Sequence, residues 1–169
     1  NQKTINGIIK LNGIGLHNGV RADLTIKPAE DNFGIKFCRS DLDSKDYISA
    51  NYKNVVEPIL CTKIKNKNGI TVSTVEHLMA AFFGEGIDNA LVEVSASEIP
   101  ILDGSANEFV DAIRKVGTKE QTTPRQFLKV KKKVEVFDKE KFISIEPADN
   151  DLIIDFEIVY DNPLIRTRR

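Results

Sequence analysis

Along residues 21–28, Ala22, Leu24 and Ile26 alternate with Arg21, Asp23, Thr25 and Lys27. A period of two sends apolar side chains to one face and polar ones to the other, as a half-buried strand requires. Ile35 and Phe37 continue the alternation. Residues 59–64 and 70–72 flank Lys67-Asn68-Gly69, a turn signal that predicts a hairpin. The first third of the chain therefore predicts an antiparallel sheet.

The period then changes. Ser73-Thr74-Val75-Glu76 matches a capping box and predicts a helix of about three turns that ends near Gly84. At about 100° per residue, Val75, Leu78, Met79 and Phe82 share one side of that helix, facing the core. Glu76 and His77 point away from it, bordered by the small Ala80 and Ala81. Residues 90–96 alternate as a strand. Ser105-Ala106-Asn107-Glu108 then predicts a second capped helix, with Phe109, Val110, Ile113 and Val116 on one stripe and Gly117 closing it. Residues 1–117 thus predict an α+β domain, a two-layer antiparallel sheet with helices.

Residues 118–125 turn polar, contain Pro124 and predict a linker. Beyond them, residues 127–137, 141–146 and 152–160 carry strand patterns, but no amphipathic helix follows. A sheet with one bare apolar face is not stable alone. Residues 126–169 therefore read as the start of an incomplete second α+β domain.

Composition narrows the function classes. Hydrophobic residues make up 41% and charged residues 29% of the chain, a balance that supports a folded core. Twenty-four Lys and Arg against 25 Asp and Glu leave a net charge of −1, so no global field recruits nucleic acid or an anionic membrane. Cys38 and Cys61 are too few for a disulfide framework, and no apolar stretch of signal-peptide length opens the sequence. The cytoplasm is the simplest compartment. The longest apolar run, residues 78–83, falls far short of the roughly 20 residues of a membrane span.

Three stretches carry candidate chemistry: Gly13-Ile14-Gly15-Leu16-His17-Asn18-Gly19, Thr74-Val75-Glu76-His77-Leu78-Met79-Ala80-Ala81, and Glu98-Ile99-Pro100-Ile101-Leu102-Asp103-Gly104-Ser105-Ala106. The glycines of the first lack the strand-to-helix context of a phosphate loop and read as turn formers. His17 reads as an exposed loop side chain or as a substrate contact. Taken alone, Glu76 reads as the acidic arm of a cap and His77 as a surface or hydrogen-bonded histidine. Asp103-Gly104-Ser105 reads as a tight turn followed by a helix cap. Lys129, Lys131, Lys132 and Lys133 form a basic run best explained as a solvated strand face, and Cys38 reads as a small buried or half-buried hydrophobe.

With Gly86-Ile87-Asp88-Asn89 between the last two, these stretches resemble, over essentially the whole chain, the N-terminal portion of the zinc-dependent UDP-3-O-acyl-N-acetylglucosamine deacetylases of lipid A biosynthesis. The resemblance implies two similar α+β domains packed through their helices, with a catalytic Zn²⁺ between them. It further implies that Glu76 is the general base, His77 a zinc ligand, and His17, Cys61 and Thr62 substrate-binding. The implied substrate is a UDP-linked acylated N-acetylglucosamine that loses its acetyl group.

The chemistry suits those residue types. Zinc polarises a reluctant amide carbonyl and lowers the pKa of bound water toward about 7, while a neighbouring carboxylate takes the remaining proton. The family's other two ligands come from a later His-x-x-x-Asp helix, with a further histidine downstream. This chain has only His17 and His77, followed four residues on by Arg21 and Ala81. An improvised site from His17, His77 and Cys61 has no metal-binding spacing. The isolated chain is therefore expected to be inactive, with a C-terminal half of the same enzyme as its natural partner. The alternative is a non-catalytic α+β interaction module, since the architecture alone fixes no function. The absence of an aromatic and basic cluster weighs against nucleic acid as its partner.

Overall fold

Short strands and two α-helices make up the regular structure of the computed structural model, which describes all residues except 45, 58, 150, 151 and 165. The order begins β1 (Lys3–Ile5), β2 (Ile9–Ile14), β3 (Arg21–Pro28), β4 (Ile35–Arg39) and β5 (Tyr47–Ser49). It continues β6 (Ile64–Lys65), β7 (Thr71–Val72), α1 (Glu76–Glu85), β8 (Ala90–Val94), α2 (Asn107–Val116) and β9 (Thr118–Glu120). These elements belong to a first unit, Asn1–Arg125, and a second unit, Gln126–Arg169, follows.

The first unit is built on a five-stranded sheet in the order β2-β3-β8-β4-β5. Its pairs are antiparallel except β4 with β8, which run parallel. The departure from a wholly antiparallel sheet follows from the connection: the chain leaves β4, makes the β6–β7 hairpin and α1, and returns in the same direction beside it. The fold is α+β and mostly antiparallel.

The alternation of residues 21–28 does what it predicts. Ala22, Leu24 and Ile26 are buried, and the outer face carries Arg21, Asp23 and a Lys27–Glu93 ion pair at 2.7 Å. The inner face continues through Phe37, Ile48, Val92 and Val94 and meets Leu78, Ala81 and Phe82 of α1 and Phe109 and Ile113 of α2 in one core. Each such large side chain contributes about 1.5–3 kcal/mol by leaving water.

Helix α2 stops at Gly117, as predicted, with φ of 77° at that residue. Helix α1 runs past Gly84 to Glu85, because Gly86 takes the left-handed turn, with φ of 69° and its N–H bonded to the Phe82 and Phe83 carbonyls. Neither capping box forms. The Ser73 hydroxyl donates to the Ser97 carbonyl and the Glu76 carboxylate accepts from Thr62, so tertiary partners have taken both arms. In the second box Ser105 accepts from the Asn107 N–H at 3.0 Å, but Glu108 returns no bond to it and the residue before α2 is Ala106. Ala81, expected beside Glu76 and His77, lies wholly in the core, while Ala80 is exposed.

The hairpin around Gly69 forms, with Asn66 Oδ1 accepting from the Asn68 and Ile70 N–H groups at 3.0 Å each. Its strands shrink to β6 and β7, and the Lys63 carbonyl instead accepts from the Val56 N–H at 2.9 Å.

Residues 118–125, expected as a linker, complete the first unit. Strand β9 pairs antiparallel with β1, Lys3 opposite Glu120. Gln121 accepts from the buried Asn89 side chain at 2.7 Å, and Asp31 accepts from the Thr122 and Thr123 N–H groups at 3.1 and 2.7 Å. Arg125 donates to Asp88 at 2.7 Å and to the Gly86 carbonyl. The segment stays largely exposed, but Gln121, Thr123 and Arg125 are partly buried by these bonds.

The second unit contains β10 (Val134–Asp138) paired antiparallel with β11 (Lys141–Ile145), and β12 (Ile158–Val159) paired with β13 (Thr167–Arg168). The strand expected from residue 127 begins at 134, and that expected over residues 152–160 narrows to two residues. Phe137 stacks on Phe142 across the hairpin at 5.9 Å, yet both remain about two-thirds exposed, as do Val136 and Ile143. Lys133 pairs with Glu135 at 2.9 Å. Among the described residues no helix is long and apolar enough to cross a membrane.

Candidate active site

The path from β7 into α1 is strained. Thr74 holds a left-handed backbone, φ of 57°, although it is β-branched and 2% exposed. Such a conformation costs about 1–3 kcal/mol and persists only where surrounding contacts fix it. Its consequence is positional: the chain turns sharply and starts α1 at Glu76, with Glu76 and His77 half-buried and turned away from Val75, Leu78 and Phe82 in the core.

The Glu76 carboxylate is held in place. One oxygen, Oε2, accepts from the Thr62 N–H at 3.0 Å, and the Val75 N–H reaches the Thr62 carbonyl at 3.4 Å. The segment bearing Cys61 and Thr62 is thereby fastened to the start of α1. His77 occupies the next position and contributes its charge to the field at Asp103. That carboxyl lies below its ordinary value, chiefly through the Ser105 N–H, then the Ser105 hydroxyl, with His77 adding a smaller part. Asp103 and Gly104, φ of 81°, form the turn that the sequence predicted before α2.

His17 and Cys61 come together on the walls of a cleft of about 380 Å³ whose other lining includes Lys63, Ser73, Ser97 and Glu98. Glu76 and His77 lie outside that lining. Of the five residues singled out from the sequence, the structure joins Thr62 to Glu76 by a hydrogen bond and brings His17 to Cys61 across the cleft.

Glu98 opens the third candidate stretch, but sequence alone assigned it no role. It is 1% exposed, and its carboxylate accepts from the His17 N–H at 3.0 Å, the Asn18 N–H at 3.0 Å and the Thr74 hydroxyl at 2.8 Å. Burial is the largest single influence on this carboxyl and opposes its ionisation. The two backbone N–H groups, the Thr74 hydroxyl and the charge of His17 together outweigh burial, so the group sits below the ordinary glutamate value of 4.5. The local sequence carries no signal for this role, since Glu98 follows Ser95-Ala96-Ser97 and its donors lie elsewhere in the chain.

The donor set bears on a metal. His77 offers one imidazole, and among the described residues no three His, Cys, Asp or Glu side chains gather where they could hold an ion. Catalytic zinc usually takes three protein ligands. The residues of this chain do not fit such a site by themselves.

A carboxylate anchored at a helix start, a histidine beside it and a polar cleft on the same α+β unit make up the candidate site. The family model described as LpxC, UDP-3-O-acyl N-acetylglycosamine deacetylase, matches residues 2–169, and the chain belongs to that family. The UDP-3-O-acyl-N-acetylglucosamine deacetylase of Shewanella violacea is 44% identical over 164 residues, 97% of this chain and 53% of the relative. Proteins of the same name from Hahella chejuensis and Pseudoalteromonas atlantica are 44% and 43% identical, each covering 99% of this chain and 55% of the relative. The chain thus spans about half the length of the curated relatives it matches.

Proposed function

We propose that this chain is the N-terminal portion of a UDP-3-O-acyl-N-acetylglucosamine deacetylase and carries the base and one metal donor of its site. The observation that supports this reading best is the Glu76 carboxylate, fixed through Oε2 by the Thr62 N–H at 3.0 Å with His77 beside it. Fixing one oxygen orients the other, Oε1, to take a proton from an attacking water without losing time to side-chain rotation. His77 supplies one donor of a zinc site whose remaining donors lie outside this chain.

His17 and Cys61 line the cleft that receives part of the UDP-linked acylated N-acetylglucosamine, and Thr62 positions Glu76 through its backbone. Alone, the chain turns over no substrate above background, because it lacks the other donors and the downstream histidine that the family resemblance requires.

A zinc titration tests the donor assignment, run on the chain alone and on the chain combined with a separately expressed downstream half. Weak binding by the chain alone, tight binding by the combination, and loss of about 1–3 kcal/mol on His77→Ala are expected. Zinc affinity in the combination that ignores His77→Ala would remove His77 from the site.

A further inference from the structure

Two separate stretches, at residues 17–18 and at Thr74, converge on the Glu98 carboxylate, which a third stretch supplies. Strand-like residues 97–99 run beside Ser73: the Ser73 N–H donates to the Ser97 carbonyl at 2.9 Å and the Ile99 N–H to the Ser73 carbonyl at 3.1 Å. Further along, the Ile101 N–H donates to the Ile14 carbonyl at 3.0 Å, at the base of the glycine turn. Between these attachments the Glu98 side chain crosses the gap. Oε1 takes the Thr74 hydroxyl at 2.8 Å and the His17 N–H at 3.0 Å, and Oε2 takes the Asn18 N–H at 3.0 Å.

Two successive backbone N–H groups aimed at one carboxylate make a small anion cradle, here filled by the protein's own side chain. A carboxylate that is 1% exposed and bonded to three donors holds each of them firmly, since any donor that leaves strands a buried charge. The approach is close. A Cβ on Gly15 would lie 2.5 Å from Glu98 Oε2 and 2.4 Å from Asn18 Oδ1, so a side chain at 15 would force the turn or the carboxylate to shift.

We infer that Glu98 is a positioning residue of the site: it ties the turn that carries His17 to Thr74, the strained residue from which α1 departs with Glu76 and His77. The function of the tie is to fix the His17 wall of the cleft relative to the helix start. The inference rests on the proposed deacetylase reading for its consequence in catalysis, but the tie itself stands on geometry within residues 15–98.

The bonding pattern singles out the charge. Glutamine at position 98 keeps the shape and one acceptor but turns an NH2 group toward a backbone N–H, so the turn loses at least one anchor. Glu98→Gln frees the turn, the His17 wall moves, and substrate binding suffers more than the chemical step.

The test has two arms. In this chain, amide hydrogen exchange is compared between wild type and Glu98→Gln. The His17 and Asn18 amides are expected to exchange about tenfold faster in the variant, with those of β8 unchanged. In the full-length gene product, kcat and KM for UDP-3-O-acyl-N-acetylglucosamine are measured. KM is expected to rise about tenfold, with kcat within about twofold. A purely structural loss lowers the folded fraction and hence the apparent kcat, and leaves KM where it was. Gly15→Ala, which pushes the turn off the carboxylate without removing the charge, is expected to raise KM likewise and serves if Glu98→Gln folds poorly. Unchanged His17 and Asn18 exchange, or an unchanged KM in both variants, overturns the inference. Absence of turnover in the wild-type product would instead sink the deacetylase reading, and the exchange arm would still decide the tie.

Discussion

Strands β3 and β10 carry similar alternation and meet different fates. In β3 the buried Ala22, Leu24 and Ile26 face Leu78, Phe82, Phe109 and Ile113, contributed by two helices. In β10 and β11, Val136, Phe137, Phe142 and Ile143 pair across a hairpin and stay exposed, and no helix lies among the described residues of the second unit. Alternation specifies a strand; a covering layer makes it stable. The part of the site described here accordingly sits on the covered unit.

The largest expected effect tests this contrast directly. Phe109→Ala removes a fully buried ring from the covered unit and is expected to cost about 3–5 kcal/mol in urea unfolding, whereas Phe142→Ala costs less than about 1 kcal/mol. Equal costs would mean that the hairpin of the second unit has a core of its own.

A smaller effect is expected at the end of the first unit. Arg125→Ala deprives Asp88 of its ion pair at 2.7 Å and the Gly86 carbonyl of a donor. A loss of about 1–2 kcal/mol is expected, with faster exchange in β1 and β9. No change at all would return residues 118–125 to the role of a linker.

Acid sharpens the comparison within the covered unit. The Glu98 carboxyl is depressed in the folded state, so its contribution is present above the ordinary value of 4.5 and lost as pH falls through the lower folded value. Glu98→Gln carries no such proton. The stability gap between wild type and Glu98→Gln is therefore expected to shrink in urea melts as pH falls below the ordinary value of 4.5. A gap independent of pH would contradict an ionised Glu98.

The smallest effects belong to the site itself. His77→Ala and Glu76→Gln are expected to shift folding stability by no more than about 1 kcal/mol each, since neither packs in the core. Thermal melts of this chain check it; a large loss for either would make it a structural residue.

What was legible in the sequence was local. The bounds of β3 follow from period-two alternation, and the stop of α2 follows from Gly117, whose backbone only glycine adopts easily. Glu76 and His77 were legible as a motif. Several misreadings share one cause: Ser73, Glu76 and residues 118–125 chose distant partners over local ones, Ser97, Thr62, β1 and Asp88 among them. Glu98 was hidden for the same reason, because its donors at His17 and Asn18 lie some 80 residues earlier in the chain.

Acetate release from UDP-3-O-acyl-N-acetylglucosamine decides the central claim, measured for the chain alone, for the chain combined with a downstream half, and for that combination carrying Glu76→Gln. Turnover is expected only in the combination, and Glu76→Gln should lower kcat by about 10²–10⁴ without a comparable change in stability. Rapid turnover by the chain alone, or a fully active Glu76→Gln combination, would contradict the assignment of Glu76 as the base of a site completed from outside this chain.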